Sequence, residues 1–237
     1  MWSIVATSRL TEQYVRAYCR GMAKASNRDR ILSEGLRVVH ERGFIGASVR
    51  DIIQAAGVSH GSFTNHFASK EAFCLEVLDI YFDAGRVVMQ NTLLNRAIDP
   101  IARIAAYVEA NIDDVAKFGF KNGCLIGNFS IETTEHSDVI RSRLVAIYDE
   151  IQAAIGAALD SAKASGQLAE STDTSVLAGF IVASLQGAIL RSKVERQLQP
   201  LEQFKTVLFG MIMARPRAGD TASGGAMAVS KRASRSK

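Results

Sequence analysis

Apolar side chains recur every three or four residues along most of the chain, and this spacing predicts helices almost throughout. In the stretch that begins at Ser26, the residues Ile31, Leu36 and Val39 fall on one helical face, and Gly43 is expected to end the helix. Alternation of apolar and polar residues, which is typical of half-buried strands, does not persist for more than a few residues. The pattern therefore predicts an all-α protein.

Short polar residues and prolines mark where further helices should begin. Ser48 and Ser59 each precede a short stretch, and Ser69 precedes a longer one that extends to about residue 92. Further helices are predicted to begin at Asp99-Pro100, at residue 137, at residue 172 or 173, and at Pro200. The helix that begins at 137 is long and should end at Gly166. Three glycines interrupt the pattern between 119 and 134, so a loop and a short helix are expected there.

Composition and charge narrow the class of protein. A content of 48% apolar residues is enough for a folded core. Residues 1–70 contain ten Lys/Arg and five Asp/Glu, a net charge of +5. Residues 71–214 contain twelve Lys/Arg and eighteen Asp/Glu, a net charge of −6, and residues 215–237 contain six Lys/Arg and one Asp, a net charge of +5. A basic end beside an acidic body is the distribution expected if that end meets a polyanion.

Several classes are disfavoured by what the sequence lacks. Charges, Gly or Asn interrupt every apolar stretch before the ~18 residues that a membrane span needs, and the N-terminus has no secretory signal pattern. The three cysteines are widely spaced, so neither a disulfide framework nor a zinc site is predicted. We therefore expect a cytoplasmic protein that has no membrane partner, no metal and no cofactor.

The pentapeptide Gly57–Gly61 fits the pattern Gly-x-Ser-x-Gly, which in some hydrolases presents a catalytic serine. That turn needs a strand before the serine, whereas the residues before Ser59 have helical spacing. Only His60, His66 and His136 follow Ser59, and none is well placed to complete a triad. A serine hydrolase that uses Ser59 is therefore a remote alternative, and no catalytic residue is predicted.

The same stretch has the features of a helix-turn-helix. Two short helices joined at Gly57 and Val58 would be braced by the helix before them, and the second could enter the major groove of DNA. Phe63 and Phe67 are four residues apart and should face the core, which leaves the polar residues of the second helix outside. These outward residues are His60, Gly61, Ser62, Thr64, Asn65 and His66.

Residues 28–73 resemble the N-terminal domain of the TetR (tetracycline repressor) family of bacterial regulators. The resemblance rests on the segments "RILSEGLRVVHERGF", "SVRDIIQAAGVSHGSF" and "HFASKEAF". It implies a DNA-binding transcriptional repressor whose C-terminal helical domain binds a ligand and forms a dimer. One position departs from the family pattern, because Thr64 stands where a tyrosine commonly contacts DNA phosphate.

The resemblance also implies roles for individual residues. Ser48 and Lys70 are expected to contact phosphates, as are Thr64 and His66, although His66 could instead cap its helix. Ser59 would cap the second helix of the helix-turn-helix, which we call the reading helix, and Gly61 would allow this helix to approach DNA closely. The residues expected to read base edges are Arg50, His60, Ser62 and Asn65, although Ser62 could also be merely solvated.

The glycine-rich segment from 118 to 132 is the expected wall of a small-molecule pocket, because aromatic walls with a few polar groups are typical of such sites. The candidate ligand-binding residues are Phe118, Phe120, Cys124, Asn128 and Phe129, with Phe82 and Arg86 from the long helix that begins after Ser69. Similar Gly-Cys segments occur in family members that respond to electrophiles, so Cys124 is a candidate thiol sensor. Plain packing of this thiol is the alternative.

Four segments are predicted: a disordered extension at 1–25, a helix-turn-helix domain at 26–68, a ligand-binding and dimerisation domain at 69–214, and a disordered basic tail at 215–237. Translation is expected to start at either Met1 or Met22. Small residues in the penultimate long helix and apolar residues in the last one suit a homodimer seam, although the same stripe could pack within one subunit. Two reading helices on a near-palindromic operator would then act together.

Three classes of function follow. The first is a repressor that an unknown small-molecule inducer releases from double-stranded operator DNA, with a thiol-sensing version that acts through Cys124. The second is an enzyme that uses Ser59 or Cys124. The third is a structural DNA-binding protein without ligand control, which would not need the aromatic segment.

Overall fold

The computed structural model describes residues 26–213, and over this range the chain forms nine α-helices and no strand. The prediction of an all-α protein is confirmed. A five-residue π-helical turn, Leu208–Ile212, follows the last helix. The predicted extension at 1–25 and the predicted tail at 215–237 lie outside the described residues. The helices are α1 Asn27–Gly46, α2 Val49–Ala56, α3 His60–His66, α4 Lys70–Asn91, α5 Pro100–Lys117, α6 Leu125–Glu132, α7 Asp138–Ala164, α8 Thr174–Glu195 and α9 Gln199–Val207.

The helices begin where short polar side chains can accept hydrogen bonds from free backbone amides. Ser26 and Ser48 form reciprocal capping boxes with Asp29 and Asp51, respectively. Ser69 caps α4, and Asp99 caps α5 ahead of Pro100. Local sequence therefore determines where these four helices begin.

Gly43 interrupts α1 and does not end it, because one further turn continues to Gly46. The backbone at Gly43 has a φ of +78°, and a Cβ atom there would lie 2.2 Å from a carboxylate oxygen of Glu132. Glycine is needed both for the positive φ and for this close approach. The kink therefore lies at a contact between α1 and α6.

The N-terminal helices α1, α2 and α3 pack around one apolar cluster. The rings of Phe63, Phe67 and Phe73 lie with centroids 5.1 to 5.5 Å apart, and all three side chains are buried. Phe73 belongs to α4, so this aromatic contact joins the short helices to the long one. It fixes α3 from its inner side and leaves the outer side uncovered.

The C-terminal helices form a second packed layer in which α7 packs against α8, α5 and α4, and α8 packs against α9. Ion pairs add to the apolar contact between α4 and α7. Arg86 donates from Nε and Nη2 to the two carboxylate oxygens of Glu150 at 2.7 Å each, and Arg143 contacts Asp79 at 2.6 Å. Because α4 contacts both groups of helices, it connects α3 to the C-terminal layer.

Candidate nucleic-acid interface and ligand pocket

The turn between α2 and α3 is held by backbone hydrogen bonds. Gly57 has left-handed torsion angles of φ 61° and ψ 42°, and its amide donates to the carbonyls of Ile53 and Gln54. A side chain at this φ would be strained, so glycine suits the position. Arg30 of α1 also donates to the Gly57 carbonyl at 3.4 Å, which braces the turn from the side.

Ser59 caps α3 and is not placed as a nucleophile. Its Oγ accepts the backbone N–H of Ser62 at 3.2 Å. The residues before it form α2, so the strand that a hydrolase turn requires is missing within the described residues. The pattern Gly-x-Ser-x-Gly here belongs to a helix-turn-helix.

The residues predicted to bind DNA avoid the core. Ser62 and Lys70 are half-buried, and the others are exposed. Among the described residues, the polar side chains of α3 make no hydrogen bond to another helix, so their polar atoms are open to an outside partner. The exposed ones are Ser48, Arg50, Ser59, His60, Gly61, Thr64, Asn65 and His66.

Four of the predicted side chains already have partners, and one of them is Ser59, whose Oγ accepts the Ser62 amide as described above. The Ser48 hydroxyl donates to the Asp51 carboxylate inside the capping box, and Arg42 pairs with the same carboxylate at 2.8 Å. The Thr64 hydroxyl donates back to the Gly61 carbonyl at 3.2 Å. The Lys70 ammonium lies 4.7 Å from the centroid of the Phe44 ring, a position that orients it without neutralising it.

A first cavity, of about 70 Å³, lies among helices α4 to α8, beside Cys124. Its walls are mainly apolar and aromatic, with a few polar side chains that reach in. The polar and aromatic residues that line it are Tyr81, Phe82, Tyr107, Asn111, Asp114 and Gln186. This combination is typical of small-molecule sites.

The polar groups of this cavity lie in a low-dielectric setting. Burial raises the pKa of Tyr81 well above its usual value, and the Tyr81 hydroxyl faces the Cys124 thiol and the backbone of Leu125. Gln186 Nε2 lies 3.6 Å from Cys124 Sγ. Burial also raises the pKa of Asp114 to about 6, and its Oδ1 is inaccessible to solvent and has no hydrogen-bond partner among the described residues.

A second cavity, of about 220 Å³, lies on the other side of Cys124 between α6 and α8. Lys193 donates to Asn128 Oδ1 at 3.0 Å, and Asn128 donates to the Asn122 carbonyl at 2.9 Å. Cys124 and Gln186 line both cavities. Cys124 therefore stands between the two spaces.

The residues predicted to bind the ligand are divided among several places. Phe82 and Cys124 line the first cavity, and Asn128 and Cys124 line the second. Four predicted residues line neither cavity. Arg86 pairs with Glu150, and the backbone carbonyl of Phe120 accepts a hydrogen bond from Arg196. The ring of Phe118 makes an edge contact with His40, and Phe129 is buried against Phe44. Aromatic type alone does not indicate whether a ring faces a cavity or the core.

Five polar residues that line the first cavity were not predicted from the sequence: Tyr81, Tyr107, Asn111, Asp114 and Gln186. A usable signal was present for part of this set. Tyr107, Asn111 and Asp114 follow one another at intervals of four and three residues, so three polar groups share one face of α5. Polar residues on an otherwise apolar helical face are typical of a buried polar site.

The pocket segment contacts α1 at both ends of α6. His40 Nε2 lies 2.9 Å from the Gly123 carbonyl, just before α6, and Glu132 at its other end accepts the Ile45 amide at 2.8 Å. Burial lowers the pKa of His40, which keeps the imidazole neutral. Ile45 lies three residues before Ser48, the cap of α2. A continuous set of contacts therefore extends from Cys124 to the helix-turn-helix.

One face of α8 is apolar and uncovered. Val176, Phe180, Leu190 and Val194 are 69%, 47%, 45% and 75% exposed, and the small residues Ala183 and Gly187 between them are also exposed. We call these six residues the α8 stripe. Its spacing of three and four residues is that of a helix–helix contact. By length and composition alone, α8 is also the one described helix that could cross a membrane.

Comparison with known proteins identifies relatives over most of the chain. The family model of bacterial regulatory proteins, tetR family, matches residues 31–77, and that of the tetracyclin repressor-like C-terminal domain matches residues 100–208. The HTH-type transcriptional repressor DhaR of Mycobacterium sp. (strain GP1) is 38% identical over 192 residues, which cover 81% of this chain and 95% of DhaR.

Two solved structures show the same architecture. The reduced form of E. coli NemR superimposes with a TM-score of 0.73 at 27% identity, over 81% of this chain and 98% of NemR. The regulator CifR, solved as a cysteine mutant with a 26-base-pair double-strand operator DNA, superimposes with a TM-score of 0.69 at 25% identity, over 80% of this chain and all of CifR.

Proposed function

This chain belongs to the TetR family of DNA-binding transcriptional repressors and is not an enzyme, and from that premise we propose how it acts. It binds a near-palindromic operator as a homodimer in the cytoplasm, and it leaves the operator when a small molecule enters the cavity beside Cys124. The observation that carries this proposal is the α2–turn–α3 unit, whose inner side is fixed by aromatic packing while its polar side is uncovered.

The uncovered side of α3 suits the major groove in size and chemistry. Its seven residues make a helix of ~10 Å, which fits a groove about 12 Å wide. Asn65 can pair through two hydrogen bonds with adenine, and His60, Ser62 and Arg50 complete the set that reads base edges. Lys70 is the strongest phosphate contact, with weaker contributions from Ser48, Thr64 and His66.

The α8 stripe supports dimerisation. Exposed apolar patches of this kind mark contact surfaces, and a lone helix-turn-helix reads too few bases for useful specificity. Among the small residues of α8, Ala178 and Ala188 are buried within the chain, whereas Ala183 and Gly187 face outward. In the proposed dimer the two-fold axis lies at this stripe with α9 beside it, and the two copies of α3 meet half-sites about one DNA turn apart.

Ligand control is transmitted by two routes in this proposal. Helix α4 begins at Lys70 and lines the cavity at Tyr81 and Phe82. Helix α6 begins beside Cys124 and ends at Glu132, which holds the end of α1. A ligand that favours one arrangement of these helices changes the spacing of the two reading helices, and it can do so only by its difference in affinity for the two states.

A thiol-sensing version of the same mechanism is the second candidate. Cys124 occupies the N-cap position of α6 without a side-chain hydrogen bond to cap the helix, and it lies beside Tyr81 and Gln186. The relative NemR has been solved in a form described as reduced. Mass spectrometry after mild electrophile treatment tests this version: DNA release while Cys124 stays unmodified would exclude it.

The DNA interface is tested by two substitutions and a control. DNA from the region upstream of the gene is titrated with full-length protein at several salt concentrations. Lys70→Ala should weaken binding to all sequences alike and reduce the salt slope by about 1, whereas Asn65→Ala should relax specificity at one base pair. Lys121→Ala, an exposed lysine on the loop before α6, should change neither. Unchanged binding by Lys70→Ala at every salt concentration would refute its role.

The dimer is tested on α8. Phe180→Asp places a charge in the α8 stripe without touching the core of the subunit, so the protein should elute as a folded monomer and lose at least a hundredfold in operator affinity. Gln197→Asp, on the exposed loop after α8, is the control and should remain dimeric. A Phe180→Asp protein that stays dimeric would show that the seam lies elsewhere.

A further inference from the structure

Asp114 is the one acid among the residues that line the cavity beside Cys124. Its Oδ1 is inaccessible to solvent and has no hydrogen-bond partner among the described residues. An acceptor that is buried and unpaired carries a desolvation cost that an arriving donor would remove. Burial raises the pKa of Asp114 to about 6, so the carboxylate is mostly ionised at neutral pH.

The surroundings of Asp114 limit what this donor can be attached to. Tyr81, Phe82 and Tyr107 present aromatic surface, and Val88, Met89 and Ile151 close the cavity with apolar side chains. A volume of about 70 Å³ is roughly half that of a cavity known to hold benzene, so the resting space fits a molecule of about four heavy atoms. An anion would meet the carboxylate of Asp114 inside a low-dielectric site, where like charges repel strongly.

We propose that this cavity binds a short, mainly apolar molecule that carries one hydrogen-bond donor, an alcohol or a primary amine, and that this donor bonds to Asp114. The inference rests on the proposed ligand response and specifies the chemical class of its effector. The apolar body of the molecule lies against Phe82 and Met89, and its donor points to the Asp114 carboxylate. Ketones and carboxylates of the same size are rejected, because the first lack a donor and the second repel Asp114.

Four probes with the same number of heavy atoms separate these chemistries: propan-2-ol, propan-2-amine, acetone and acetate. Their dissociation constants for full-length protein are measured by NMR titration at millimolar concentrations, because molecules this small bind weakly even at best. We expect propan-2-ol, propan-2-amine or both to bind at least tenfold more tightly than acetone, and acetate not to bind. A hydrogen bond to a charged partner supports a preference of this size.

Asp114→Ala should abolish the preference over acetone, whereas Asp113→Ala, the same change one residue earlier and outside the cavity, should keep it. Wild-type protein that binds acetone as tightly as propan-2-ol and propan-2-amine would overturn the proposal, and this comparison does not depend on whether Asp114→Ala folds. Tighter binding of acetate than of the other probes would also overturn it. Tighter binding of the amine than of the alcohol identifies a cation as the preferred donor, and the reverse identifies a hydroxyl.

Operator binding, followed by fluorescence anisotropy of labelled upstream DNA, separates this proposal from the proposed function. If the protein binds DNA but shows no donor preference, the proposed repressor function stands and the inference about Asp114 is refuted. If the protein prefers donors but the preferred probe does not affect DNA binding, the inference about Asp114 is supported and the cavity is not the effector site. Release of DNA by the preferred probe at concentrations near its dissociation constant supports both.

Discussion

Helices α3 and α6 are both short, with seven and eight residues, yet they are held in different ways. Ser59 caps α3 locally, and only its inner aromatic side packs against other helices. Helix α6 has no side-chain cap at its start. It is held from outside by Lys193 on Asn128 and by the Ile45 amide on Glu132.

The difference suits the two tasks proposed for these helices. A helix that reads DNA needs one firmly packed side and one uncovered polar side, which α3 has. A helix that passes a signal, the role proposed for α6, must contact both the cavity and the DNA-binding helices; α6 borders the cavity at its start and contacts α1 at both ends. Coupling between sites travels through contacts of this kind when they have two arrangements.

The largest expected effect comes from removing the packed side of α3. Phe63→Ala should lower the free energy of unfolding by about 3–5 kcal/mol, because it leaves a cavity between Phe67 and Phe73. Urea unfolding followed by circular dichroism measures this. Phe118→Ala removes the same ring from a site that is 37% exposed and should cost much less. Equal losses would mean that α3 is not fixed by its aromatic side.

In the cavity beside α6, a substitution should raise the stability of the folded protein, because the buried carboxylate of Asp114 lowers it at neutral pH. Its pKa is raised from 3.8 to about 6, so the folded state holds a proton that the unfolded chain loses first. Stability from this group is present below pH ~4 and is lost as the pH rises to about 6, a change of about 3 kcal/mol. Asp114→Asn should therefore be more stable than wild type at pH 8 and not at pH 4.

Thermal unfolding of both proteins from pH 4 to pH 8 measures this difference. Asp51, Glu150 and Glu195 have lowered pKa values and act in the other direction, but they are present in both proteins and cancel. Asp113→Asn is the comparison, since Asp113 lies outside the cavity and closer to solvent; partial burial and Glu109 also raise its pKa, so a smaller change of the same sign is expected. Parallel pH profiles for wild type and Asp114→Asn would contradict the expectation.

The connection between α6 and α1 should contribute a smaller amount. Glu132→Ala removes the acceptor of the Ile45 amide and should weaken the coupling between effector and operator by about 1–2 kcal/mol. The measurement is the ratio of operator dissociation constants with and without the effector. Glu135→Ala, a nearby exposed acid, should leave that ratio unchanged. If both variants respond like wild type, α4 alone carries the signal.

The smallest expected effect lies on the uncovered side of α3. The Thr64 hydroxyl is occupied by the Gly61 carbonyl and is too short to reach far outward. Thr64→Tyr provides a longer donor and should tighten operator binding by about 1 kcal/mol, roughly fivefold. Thr64→Phe, which has the same ring without the hydroxyl, should give no such gain. A loss of affinity in Thr64→Tyr would show that the DNA approaches too closely for a ring.

The two helices also differ in how far the sequence predicts them. The cap at Ser59, the turn at Gly57 and the apolar pair Phe63 and Phe67 are local signals, and each corresponds to a feature of α3. The surroundings of α6 depend on residues distant in sequence, such as His40 and Lys193. The sequence indicated that segment 119–134 holds a loop and a short helix, but it did not indicate which of the aromatic rings in and beside it would be buried.

The α8 stripe has one more property, which concerns its order. From Val176 to Val194 the side chains are large, large, small, small, large and large, so the sequence of sizes reads the same in both directions. Two antiparallel copies would therefore set Phe180 opposite Leu190 and Ala183 opposite Gly187, and the helices would approach most closely at their midpoint. A palindrome of side-chain volumes is complementary to its own copy, which suits the homodimer proposed above.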